Sequence, residues 1–99
     1  MKYRKKPVVV EAFQYDGDMK NRDGRWYVPE WAQKAFENGV MFYDSLTSDS
    51  PPCELFIRTL EGIHHVSVDD FVIQGVQGEL YPCKPDIFLK TYEPAEDKA

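Results

Sequence analysis

The chain has 99 residues, of which 42% are hydrophobic, 14% aromatic and 29% charged, and its formal net charge at pH 7 is -5. This length supports a single domain, residues 1–99, with one hydrophobic core. The acidic balance argues against duplex DNA as a partner, because binding to the phosphate backbone requires a basic face that releases counterions.

The first half of the chain predicts two strands, over residues 8–15 and, in a short aromatic run, residues 40–46, with one helix between them. Residues 8–15 are β-branched and aromatic and end at the turn pair Asp16-Gly17, so they predict a strand; both of its faces are apolar, which favours a central position in a sheet. Residues 16–28 are polar and rich in turn formers, which predicts a surface loop. An apolar stripe at helical spacing then predicts an amphipathic helix over about 29–39.

The clearest local signal is a β-hairpin. Residues 54–60 and 63–68 flank Glu61-Gly62, and a two-residue loop there pairs Ile57 with Val66 and Arg58 with His65. The aliphatic side chains mark one face as the core side, which leaves Arg58 and His65 together on the other face.

The last third predicts two further strands and a short helix. Residues 71–74 and 79–81 are expected to extend the hairpin into a meander, and the final helix is expected over about 86–92, with Asp86 as its N-cap. The order of elements therefore predicts an α+β domain: a curled, mostly antiparallel sheet or small open barrel, with one helix packed across it and a short C-terminal helix.

The chain contains none of the strong catalytic or cofactor motifs, so we expect no enzyme, no cofactor and no metal site. His64 and His65 are neighbours in a strand and point to opposite faces, so they do not ligate one metal. Cys53 and Cys83 are outside any CxxC pair and are expected to be reduced. Cys83 beside Lys84 at a helix start is compatible with a lowered pKa and a cysteine nucleophile.

A binding site is the remaining interpretation of the polar residues. An anionic, ring-bearing ligand such as a nucleotide would use cations, an aromatic hydroxyl and the amides at the start of the last helix. Trp26 beside Arg25 either stacks on a flat ligand or closes the edge of the core. The candidate ligand-binding residues are Arg58, His65, Tyr81, Cys83, Lys84, Asp86 and Trp26.

The two ends of the chain and the hairpin resemble a family of small phage and prophage proteins, chiefly uncharacterised (PGDYG-like). Members begin Lys-Tyr-Arg-Lys-Lys-Pro-Val and end in Gly-Glu-x-Tyr-Pro-Cys-Lys-Pro-Asp-Ile-Phe, which this chain carries at residues 2–8 and 78–88. Members often have a Pro-Gly-Asp-Tyr turn where this chain reads Val-Asp-Asp-Phe at 68–71, so Asp70 and an aromatic residue are retained. The resemblance implies a phage accessory protein without established catalytic residues.

Three functions are compatible with these observations. The first is a non-enzymatic phage protein, acting in counter-defence, that sequesters an anionic nucleotide-derived signalling molecule and forms a homo-oligomer. The second is a module that binds and inhibits a host protein, or joins phage assembly, through aromatic residues such as Trp26, Tyr27 and Tyr43. The third is a cysteine-dependent enzyme of unknown reaction. With neither a signal peptide nor a long apolar run, we expect the chain in the cytoplasm of the infected bacterial host, without membrane contact.

Overall fold

The protein folds into two three-stranded antiparallel sheets and two helices. A computed structural model describes residues 1–4, 6–20 and 22–95. The α+β class and the antiparallel pairing predicted from the sequence are confirmed, with two open sheets and no closed barrel. In chain order the elements are β1 (Glu11–Gln14), α1 (Glu30–Glu37), β2 (Met41–Asp44), β3 (Glu54–Thr59), β4 (Gly62–Val66), β5 (Phe71–Gln74), β6 (Leu80–Cys83) and α2 (Pro85–Thr91).

The first strand lies at an edge and not at the centre. The first sheet has the order β1-β5-β6, so β1 pairs only with β5, from Glu11 opposite Gln74 to Gln14 opposite Phe71. The prediction of a central strand is wrong, because apolar side chains on both faces of a strand do not require a neighbouring strand at both of its edges. Val8 and Val9 instead precede the strand and are 50% and 76% exposed.

Helix α1 connects the two sheets by packing against both. Ala32 and Ala35 are buried, as the apolar stripe predicts. The Trp31 ring lies 5.7 Å from that of Phe13 in β1, and the Phe36 ring lies 5.4 Å from that of Tyr43 in β2. The helix is thus confirmed, with Pro29 as its N-cap residue rather than its first helical residue.

The hairpin forms with a register two residues away from the predicted one. In the second sheet, of order β2-β3-β4, the turn is Leu60-Glu61, and Gly62 already pairs with Thr59. The Thr59 hydroxyl accepts a bond from the Glu61 N–H at 3.1 Å and donates to the Gly62 carbonyl at 2.8 Å, which fixes this turn. Arg58 consequently lies opposite Ile63 and not opposite His65.

The predicted meander does not form, because β4 and β5 belong to different sheets. The chain changes sheet through the turn at residues 67–70, where Asp69 has a φ of 78°. The buried Asp70 carboxylate accepts a hydrogen bond from the Ser67 N–H at 2.9 Å. The backbone carbonyl of Asp70 accepts a hydrogen bond from the Tyr15 N–H at 2.9 Å. These bonds hold the turn against the end of β1.

Helix α2 begins one residue earlier than predicted. Lys84 is the N-cap and Pro85 is the first helical residue, so Asp86 lies in the first turn and is not the cap. The fixed φ of proline suits the first helical position, which explains the earlier start. The helix packs through Phe88, whose ring stacks on that of Phe71 in β5 at 3.8 Å.

One hydrophobic core joins the two sheets and α1. Its most deeply buried large members are Met41, Leu55, Ile57 and Val66 from the second sheet and Val72 from the first. No helix in the described part of the chain is long and apolar enough to span a bilayer.

Candidate functional site

A cleft of about 810 Å³ lies where one end of the second sheet meets β6 of the first. The β3–β4 hairpin forms one wall, and the segment from Gly78 into β6 forms the other. Most of the exposed lining is apolar, with a few polar side chains among it. The lining residues are Val40, Arg58, Thr59, Leu60, Glu61, His64, Gly78, Glu79, Leu80, Tyr81 and Pro82.

The guanidinium of Arg58 is held in place but carries no ion pair. Its Nε donates a hydrogen bond to the Gly39 carbonyl at 3.1 Å, and its central carbon lies 4.3 Å from the centre of the Phe42 ring. Among the described residues, no carboxylate lies within ion-pair distance of this group. An exposed arginine whose guanidinium is oriented in this way is suited to bind an anion through two parallel hydrogen bonds.

Tyr81 contributes a neutral phenol to the opposite wall. Burial and a hydrogen bond with Tyr92, at 3.3 Å between the hydroxyl oxygens, raise the pKa of Tyr81 to about 12. The group therefore remains protonated at neutral pH and is available as a polar contact rather than as a base. Because Tyr92 follows α2, this bond also links the cleft to the last helix.

The histidine that lines the cleft is His64 and not His65. The predicted register had placed His65 opposite Arg58, whereas His65 lies opposite Phe56. Its Nε2 lies 2.9 Å from a carboxylate oxygen of Glu54. The strand alternation did place His64 on the face of Ile57, and this half-buried polar residue among aliphatic neighbours was the available signal for it.

Three of the predicted binding residues lie outside the cleft, around the start of α2. The Lys84 ammonium lies 3.1 Å from the buried carboxylate of Asp70, which commits it to an internal ion pair. Burial raises the pKa of the Cys83 thiol, and the nearby Asp70 and Asp86 raise it further. The prediction of a lowered pKa at Cys83 is therefore wrong, because the adjacent lysine faces Asp70 and the two carboxylates disfavour a thiolate. Asp86 is exposed to solvent.

Trp26 packs against the core and does not line the cleft. Its ring lies 5.8 Å from that of Phe36 in α1, and the Lys20 ammonium lies 5.2 Å from its centre. It is half-buried against the main hydrophobic cluster. Of the two interpretations of Trp26, the structure supports the one in which its ring closes the edge of the hydrophobic core.

The charges around the cleft are mixed, and its acidic residues are not among the binding residues predicted from the sequence. Glu61 and Glu79 line it together with Arg58 and His64. The Glu79 carboxylate accepts a hydrogen bond from the Gln77 N–H at 3.0 Å, which orients it. Such a cleft can bind an anionic group at Arg58 and accept N–H donors at the carboxylates. Across the described residues, no group of three or more His, Cys, Asp or Glu side chains is placed to hold a metal.

Comparisons with protein-family models, with curated proteins and with solved structures found no match to this chain.

Proposed function

We propose that the protein is a non-enzymatic binder that sequesters a small, anionic, ring-bearing molecule in the cleft beside Arg58. The observation that supports this most strongly is the Arg58 guanidinium, which Gly39 and Phe42 hold in one orientation without neutralising its charge. An oriented charge loses less side-chain entropy on binding than a mobile one.

The size and lining of the cleft favour a nucleotide over a simple inorganic anion. A volume of about 810 Å³ is within the usual range for small-molecule sites, and it exceeds what a single phosphate fills. Leu60, Leu80 and Pro82 offer apolar contact area for a ring, while Glu61 and Glu79 offer acceptors for the amino and imino groups of a base. The proposed ligand thus carries a phosphate at one end and N–H donors at the other.

The resemblance to phage proteins gives this binding activity a setting. A small acidic protein that binds a nucleotide-derived signal and holds it lowers the free signal concentration by mass action, without any chemical step. We propose that the protein acts in this way against a host defence signal, in the cytoplasm of the infected cell.

Titration calorimetry with a panel of cyclic nucleotides and ADP-ribose derivatives tests the binding step. We expect at least one member to bind, and Arg58→Ala to weaken its binding by about tenfold to hundredfold, since hydrogen bonds to a charged group contribute about 1.5–3 kcal/mol. Lys90→Ala removes an exposed cation of α2, outside the cleft, and serves as the matched control. Absence of heat with every member of the panel, or equal affinity for wild type and Arg58→Ala, would remove the proposal.

A further inference from the structure

The second sheet has one face that neither helix covers. Helix α1 packs on Tyr43, and the neighbouring Phe42 points to the opposite side of β2. Helix α2 packs on Phe71 in the other sheet. We call the uncovered side the outer face; its residues are Phe42 and Asp44 of β2, Glu54, Phe56 and Arg58 of β3, and Ile63 and His65 of β4.

The strand register arranges this face in three rows with different chemistry. One end row pairs Arg58 with Ile63 and is cationic. The middle row aligns Phe42, Phe56 and His65. The opposite end row pairs Asp44 with Glu54 and is anionic.

The middle row is a continuous band of rings. Phe42 and Phe56 stack with centroids 5.7 Å apart and planes at 21°, and Phe56 and His65 follow at 5.2 Å. All three side chains are only half-buried, and Ile63 at the cationic end is 56% exposed. Aromatic surface of this kind, with a fixed geometry and few rotamers to lose, is typical of interface centres.

We propose that two copies of this chain associate face to face through the outer face, about a twofold axis along the aromatic row. This axis reverses the strand direction of the second copy, so the rings pack on their own equivalents across the interface. The same rotation places the cationic row of each copy over the anionic row of the other, so that Arg58 meets the partner's Glu54. The face is complementary to itself in this arrangement alone, because rotation about an axis parallel to the strands would place Arg58 over Arg58.

The dimer is expected to be weak because the face is small. Three strands about 4.8 Å apart and five residues along each give a footprint of roughly 240 Å² per copy, below the roughly 800 Å² per partner of a standard interface. Exposed leucines at the two ends of the sheet, Leu60 at 107% and Leu46 at 56%, lie where the ends of the two copies overlap. They add apolar area at the two ends of the contact.

The dimer does not rest on the proposed ligand, although Arg58 and Leu60 belong to both surfaces and the ligand and the second copy therefore compete for Arg58. Arg58 takes part in both, so its variants do not separate them, whereas Glu54 belongs to the outer face and is outside the cleft. Glu54→Arg should abolish the dimer without weakening calorimetric binding, because it frees Arg58 from the partner's Glu54; this result would support the dimer and leave the binding proposal intact.

Sedimentation equilibrium of the whole chain, over protein concentrations from about 10 µM to about 1 mM, tests the dimer. We expect a reversible monomer–dimer equilibrium. Arg58→Glu and Glu54→Arg should each raise the dissociation constant by about tenfold or more, and the double variant Arg58→Glu/Glu54→Arg should recover most of that loss. Lys34→Glu, on the exposed side of α1, makes the same change of charge as Arg58→Glu but outside the outer face. It is expected to leave the dissociation constant of the dimer unchanged.

Circular dichroism of each variant establishes that it is folded, and Asp44→Arg, at an exposed position of the anionic row, replaces Glu54→Arg if that variant does not fold. A chain that stays monomeric up to about 1 mM would overturn the inference. A dimer whose dissociation constant is unchanged by Arg58→Glu and by substitutions in the anionic row would also overturn it, because such a dimer would use another surface.

Discussion

The ammonium nitrogen of Lys84 lies 3.1 Å from a carboxylate oxygen of Asp70, and this pair joins the start of α2 to the turn by which the chain changes sheet. The Asp70 side chain is 3% exposed and that of Lys84 57% exposed, so one partner is buried and the other is half in solvent. The Ser67 N–H is a second donor to the same carboxylate. Lys84 is therefore accounted for by the fold and not by a ligand.

Lys84→Met should lower the free energy of unfolding by about 1–2 kcal/mol. This value lies between the small contribution of exposed ion pairs and the larger loss when a buried pair is broken, since methionine keeps the packing of the aliphatic stem but leaves Asp70 with one donor fewer. Urea denaturation at neutral pH measures it. Lys90→Met, at an exposed position in α2, is the control and should change stability by less than about 0.5 kcal/mol. Equal stability of the two variants would contradict the structural role of Lys84.

Cys83 should react slowly with alkylating agents at neutral pH. Burial and the carboxylates of Asp70 and Asp86 raise the pKa of its thiol, so little thiolate is present. We expect iodoacetamide to label Cys83 about fivefold or more slowly than the exposed Cys53, as measured by intact mass on the single Cys→Ser variants. Asp86→Asn should increase the rate at Cys83. Faster labelling of Cys83 than of Cys53 would support a cysteine nucleophile instead.

The hydroxyl of Tyr81 should titrate far above the ordinary range of tyrosine. Its pKa is raised from 10.0 to about 12, first by burial and then by its bond to Tyr92. Tyr92→Phe removes the hydrogen bond and the charge interaction with Tyr92 but leaves the burial, so the pKa of Tyr81 should fall part of the way towards 10.0. Ultraviolet absorbance of tyrosinate, read as the difference from Tyr81→Phe, measures it, with the exposed Tyr3→Phe variant as control.

The same shift makes stability depend on alkaline pH. Between pH 10 and about 12 the folded chain keeps a proton on Tyr81 that the unfolded chain has lost, so the free energy of unfolding falls as pH rises through this window. In Tyr81→Phe the fall between pH 10 and about 12 should be shallower than in wild type. An identical pH dependence in the two proteins would contradict the raised pKa.

The sequence correctly predicts those features that depend on the local periodicity of apolar residues. The stripe that buries Ala32 and Ala35, and the apolar run at Phe71–Gln74, both form as predicted. The faces of the hairpin also came out correctly, since an error of two residues in register leaves every side chain on its own side.

The partners across the sheets and the cleft were not predictable in this way. Glu61-Gly62 has residue types that are typical of a two-residue loop, but the two hydrogen bonds of the Thr59 hydroxyl favour a loop at Leu60-Glu61. As a result, Arg58 pairs with Ile63 instead of His65. The cleft itself depends on β6 of the first sheet approaching β3 of the second, a long-range relationship that no local pattern encodes. The sequence favours His65 over His64 because the predicted register pairs His65 with Arg58, whereas the structure pairs it with Phe56.

Asp69 provides a last prediction, because it is a non-glycine residue with a φ of 78°. A left-handed conformation costs an L-residue about 1–2 kcal/mol, while glycine loses about 0.5–1 kcal/mol more chain entropy on folding. Asp69→Gly should therefore raise the free energy of unfolding by about 0.5 kcal/mol.

Asp69→Ala tests the same argument in the other direction. Alanine keeps the Cβ but lacks the short polar side chain that makes aspartate tolerant of left-handed backbone, so it should be less stable than wild type. The expected urea midpoint is highest for the glycine variant, intermediate for wild-type aspartate and lowest for the alanine variant. The dependence of the unfolding free energy on urea concentration should be similar for all three. A glycine variant below wild type would mean that the Asp69 side chain contributes a stabilising interaction that outweighs the relief of backbone strain.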